Sequence, residues 1–133
     1  LKLIQTILLA LIVLNFSCTT TSPCDRRVVY ENQLIIEGDK LQAIEEEIDS
    51  IEYQITTRQQ KYDYNVMNET CSEYELSRMR FDIARLHSNL ANACTARDVQ
   101  NNKLNDVAEK LQAAETACQE WLDKVKDRHG INL

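Results

Sequence analysis

The chain has 133 residues, with 15 Lys and Arg against 21 Asp and Glu, a formal net charge of −6. That length suits one domain, and the acidic balance disfavours nucleic acid and anionic membrane surfaces as partners. Two glycines and one proline are too few turn residues for a sheet- or loop-rich fold, and the abundant Ala, Leu, Glu, Gln, Lys and Arg favour helix.

Lys2 and the apolar run Leu3 to Leu14, broken only by Gln5 and Thr6, have the pattern of an export signal. The run is shorter than the roughly 20 apolar residues that cross a bilayer. A cut after Thr19 places Ser17 and Thr19 at the small-residue positions, so residues 1–19 are expected to be a removed signal peptide, Cys18 with them. Residues 20–133 are then a secreted single domain, with no membrane attachment after signal removal. The rival route lipidates Cys18 and leaves the chain anchored to an envelope; it usually wants Leu three positions before the cysteine, where Asn15 stands.

Helices are expected over about 22–68 and 72–129. Ser22 caps the first, with Pro23 at its first position and Asp25 in its first turn. Gly38, followed by a capping box of Asp39 and Gln42, is a candidate break. From Leu34 a seven-residue repeat sets Leu34, Leu41, Ile48, Ile55 and Tyr62 in one row and Ile44 and Ile51 in its partner row, the seam of a coiled coil. Arg58, Asn65, Glu69 and Ser72 then fall on these rows, and polar side chains hold helices together poorly. Ser72 with Glu75 makes a second capping box, so the main break is expected between Asn68 and Ser72.

A second seam follows: Leu76, Met79, Ile83, Leu86, Leu90 and Ala93, then Leu104, Val107, Leu111, Ala114, Cys118, Trp121 and Val125. Arg97 and Gln100 interrupt it, and 101–105 is a candidate bend. Gly130 ends the helix after Lys126, Arg128 and His129, which suit its negative end. The expected fold is all-α: a long antiparallel helical hairpin or coiled coil, becoming a three- or four-helix bundle if the chain bends again, and stapled by disulfides. The two seams share one phase, which would also fit one long helix in a parallel dimer.

Beyond the signal, Cys24, Cys71, Cys94 and Cys118 remain, an even count that in a small exported chain reads as disulfides. An unbroken helix would hold Cys71 and Cys94 about 34 Å apart, beyond the roughly 7 Å a disulfide spans. Folding the chain at Cys71 brings together Cys24, 47 residues before it, and Cys118, 47 after it, so Cys24–Cys118 is favoured. A further bend would permit Cys24–Cys94 with Cys71–Cys118.

Asn68-Glu69-Thr70 is an N-glycosylation sequon at the expected break; Asn15-Phe16-Ser17 also matches but lies in the signal. Tyr53, Tyr62, Tyr64 and Tyr74 cluster around that break as a candidate interaction patch, since tyrosine is favoured at interfaces. Glu45-Glu46-Glu47 reads as a solvated face between seam residues, His87 as a surface histidine, and Trp121 as core. No residue stands out as catalytic, as a metal ligand or as a cofactor contact, and no small-molecule site is evident. The sequence therefore reads as a secreted non-enzymatic coiled-coil protein with a structural, assembly or interaction role, its partner another protein or itself. The alternatives are a small exported effector or binding module presenting a helical face to a receptor, and the envelope-anchored lipoprotein.

Overall fold

The computed structural model describes residues 22–130. The expected signal peptide, with Cys18 and Asn15, lies outside them. The described residues form two helices, α1 over Pro23–Met67 and α2 over Glu73–His129, with no strand among them.

Local chemistry fixes the helix ends. The Ser22 hydroxyl accepts the Asp25 backbone N–H at 3.1 Å, and the Ser22 N–H donates to the Asp25 carboxylate at 2.9 Å. This reciprocal cap satisfies two groups that a helix start leaves without partners, and Pro23 at the first position has no N–H to satisfy. At the start of α2, the Glu75 N–H donates to the Ser72 hydroxyl at 3.3 Å, while the Ser72 N–H and hydroxyl both donate to the Glu75 carboxylate at 2.8 Å. These bonds hold the Glu75 carboxyl below the ordinary carboxylate range, the Ser72 backbone N–H contributing most.

The end of α1 is a Schellman turn. The Thr70 N–H donates to the Asn65 carbonyl at 3.2 Å and the Glu69 N–H to the Val66 carbonyl at 3.5 Å. Such a turn needs a left-handed residue, and here Glu69 adopts it, with φ 52°. Glycine would fill that place without the cost of a side chain. Gly130 plays the same part after α2, with φ 58°.

Neither candidate bend is present. Helix runs unbroken through Gly38, because one glycine costs a helix only about 1 kcal/mol. It runs unbroken through 101–105, which contains neither glycine nor proline.

The chain divides into two compact units: residues 32–108 and, of the described residues, 22–31 with 109–130. In the larger unit the two helices run in opposite directions around a turn at 68–72. Its apolar cluster joins Ile48 and Ile51 to Leu86 and Ala93, flanked by Ile44, Ile55, Leu90 and Cys94. Ile44, Ile48, Ile51 and Ile55 recur at helical spacing along one stripe of α1, which is why that stripe turns inward.

Of the polar residues in these rows, Arg58, Asn65 and Gln100 turn inward with the apolar ones, while Glu69 and Ser72 lie exposed in the turn. Gln100 is buried, and its side-chain amide donates to the Glu37 carbonyl at 3.0 Å and to the Glu37 carboxylate at 2.6 Å. Lys40 donates to the other Glu37 oxygen at 2.6 Å. The bonds from Lys40 and then Gln100 lower the Glu37 pKa. Asn65 is buried too; its side-chain oxygen accepts the Thr70 hydroxyl at 2.7 Å, and its amide reaches the Met79 sulfur at 3.6 Å. Arg58 pairs with Asp82 at 3.7 Å. Arg58, Asn65 and Gln100 thus mark polar layers, each with its own partner, rather than a loss of pairing.

In the smaller unit Cys24 and Cys118 form a disulfide, with Cα atoms 4.7 Å apart. Its buried side chains are Ala114 and Cys118. Trp121, expected in the core, is 42% exposed, and Leu122 beside it is exposed as well. The reason is position: α1 begins at Pro23, next to the cysteine bonded to Cys118, so little described helix stands opposite the seam beyond that bond.

Candidate interaction surface at the turn

Cys71 and Cys94 are free thiols, both partly buried. The chain therefore carries one internal disulfide, the favoured Cys24–Cys118, and the two cysteines that this pairing leaves over are unpaired within the chain. Twenty-odd residues of unbroken α2 hold Cys94 about 34 Å along the axis from Cys71, so the two cannot meet. Cys94 packs at the margin of the apolar cluster.

The four tyrosines differ in exposure and in the helix face they occupy. Tyr62 lies half-buried on the seam, with the Arg80 guanidinium 5.8 Å above its ring. That spacing suits a cation–π contact between the helices. Tyr53 and Tyr64 are exposed and stand eleven residues apart on α1, three helical turns, which returns them to nearly the same face. Met67, 82% exposed, lies close to that face at the helix end. Tyr74 stands on α2, seven residues before Phe81; the two share an outer face and are 76% and 70% exposed.

Two apolar faces therefore flank the turn, one on each helix. In the sequence, Tyr74 alone marked the α2 face. The signal for Phe81 was its place in the repeat, off the seam by the same amount as Tyr74 and one heptad later.

Among the described residues no three or more His, Cys, Asp or Glu side chains converge as metal ligands would. His87 and Glu45 to Glu47 are all exposed. The surface hollows of the larger unit are shallow; one of about 250 Å³ is lined by Arg58, Lys61, Met79 and Asp82. Its polar groups are partly engaged by the Arg58–Asp82 pair. Asn68 is exposed at the start of the turn, its side-chain amide donating to the Tyr64 carbonyl at 2.8 Å.

No helix among the described residues is long and apolar enough to cross a membrane. A disulfide is the mark of an oxidising compartment, which fits an extracellular setting. No protein-family model, no curated protein and no solved structure matches the chain.

Proposed function

We propose that this is an exported, non-enzymatic coiled-coil protein whose work is assembly or protein–protein contact. The observation that carries the reading is the unpartnered aromatic face of α2, Tyr74 with Phe81, beside the turn. Exposed aromatic side chains grouped on a rigid helix are the usual anchors of a protein interface, whereas singly scattered apolar residues need no explanation.

Packing supports the same reading. A pair of helices buries one narrow stripe on each, and no large side chain among the described residues is fully buried. The seven-residue spacing of the buried residues supports a coiled coil as the element on display. The Cys24–Cys118 bond supports export, since such bonds persist in oxidising compartments.

The test is particle mass by light scattering across a concentration series, for the natural sequence and for Phe81→Glu. Assembly through this face gives a mass that rises with concentration, and the variant stays at the mass of one chain. A single-chain mass at every concentration would remove self-assembly and leave the binding module, whose partner must then be another protein. Detection of the chain in the medium of expressing cells tests export separately.

A further inference from the structure

We propose that Asn68 is an N-glycan acceptor and that Tyr64 is the platform on which the first sugar rests. The proposal depends on the export reading, because the transfer takes place in a secretory compartment.

Asn68, Glu69 and Thr70 supply the acceptor tripeptide, and all three are exposed in the turn between the helices. A glycan needs a surface position where a bulky polar group meets no neighbour, and a turn at the end of a helix pair provides one. The Asn68 side chain folds back along the last turn of α1, where one N–H of its amide donates to the Tyr64 carbonyl at 2.8 Å. A glycosylated asparagine keeps one amide N–H, so this bond and the glycan coexist. Tyr64 stands four residues before Asn68, hence on the same side of the helix, and the residue is 62% exposed. A sugar on the other amide position is therefore carried on the side of the helix that bears Tyr64.

The donor is a polyprenyl-diphosphate-linked oligosaccharide. A bond forms between Asn68 Nδ2 and the anomeric carbon of the first sugar. The bond from that carbon to the diphosphate oxygen breaks, the diphosphate leaves with the electron pair, and the proton that Nδ2 gives up passes through the transferase's basic groups to balance the departing diphosphate. In the folded turn the Thr70 hydroxyl donates to Asn65 and Glu69 is locked in the left-handed region. The transfer therefore precedes turn closure. A glycan over Tyr64 closes the α1 side of the turn to partners and leaves the α2 side, Tyr74 and Phe81, as the contact face.

The test uses the full chain in a eukaryotic secretory cell, once with its own N-terminus and once behind a heterologous signal. Site mapping after enzymatic glycan release is expected to show Asn68 converted to Asp. The modification is lost in Asn68→Gln and Thr70→Ala and kept in Thr70→Ser. Secreted protein with unmodified Asn68 overturns the proposal while export stands. If only the heterologous signal delivers the chain, Asn68 modified there upholds the site and refutes the export reading, and Asn68 unmodified there overturns the site. The role of Tyr64 is read from melting: the glycan raises the midpoint by about 4 °C, and in Tyr64→Ala that rise disappears at equal occupancy. A rise that survives Tyr64→Ala refutes the platform.

Discussion

The residues around Cys24 and Cys118 and those around Leu86 face the same problem, keeping two helices side by side, and meet it with different chemistry. Around Cys118 the buried side chains are small, Ala114 and the cysteine itself, and a covalent bond does what little apolar area cannot. Around Leu86 the inner face carries Ile48 and Ile51 as well, and the stretch has a turn that ties its two helices directly. The difference teaches where each should fail. One unit depends on a redox bond, the other on packing, polar layers and the geometry of five turn residues.

The largest effect is expected from removing the bond. Cys24→Ser with Cys118→Ser frees a loop of 94 residues from its clamp. In the chain-entropy account this lowers stability by about 4–5 kcal/mol. Hydrogen exchange should show 24–31 and 109–118 opening first, while 44–55 and 83–94 stay protected. Loss of protection in both units together would mean that they do not differ as described.

Packing comes next. Leu86→Ala should cost about 2–4 kcal/mol in denaturant unfolding, because a buried leucine is replaced by a partly collapsed cavity. The loss should appear whether or not the disulfide is reduced. Asn65→Ala should cost about 1–2 kcal/mol, since it removes the acceptor for the Thr70 hydroxyl and the contact with Met79. A neutral result would show that the polar layers are tolerated rather than stabilising.

Two substitutions should strengthen the larger unit by up to about 1 kcal/mol each. Glu69→Gly relieves a left-handed side chain, and Gly38→Ala adds a methyl group where nothing lies within 4 Å. A melting curve with either change checks this. The smallest effect concerns pH. Glu37 and Glu75 have lowered pKa values, so what they contribute is complete above the ordinary carboxylate value of about 4.3 and is lost as pH falls through their folded values. An acid titration of Glu75→Gln should be flatter than that of the natural chain.

Much of this architecture was legible in residue spacing. Ser22 and Ser72 announced the helix starts because a capping box is a local motif, complete within four residues. The seam rows from Leu34 to Tyr62 announced the inner face, and equal distances from Cys71 favoured the Cys24–Cys118 pair. Gln100 and Asn65 were harder. Each reads as a fault in its own helix, and only the opposite helix, through Glu37 or Met79, or the returning Thr70, shows what satisfies it. Trp121 was misread for a related reason: its row is apolar from Val107 onward, but a row is buried only where another helix lies across from it. The surface near the turn was half legible. Tyr53 and Tyr64 share a face by helical spacing alone, whereas the half-burial of Tyr62 under Arg80 depends on the opposite helix.

The most direct test of the account is the intact mass of the naturally exported protein before and after reduction, with thiols alkylated. The expected result is a chain that lacks residues 1–19, carries one internal disulfide joining Cys24 to Cys118, and takes up label at Cys71 and Cys94 without reduction. A chain that retains Cys18 with an acyl group, or one whose Cys71 and Cys94 are bonded within the same molecule, would contradict it.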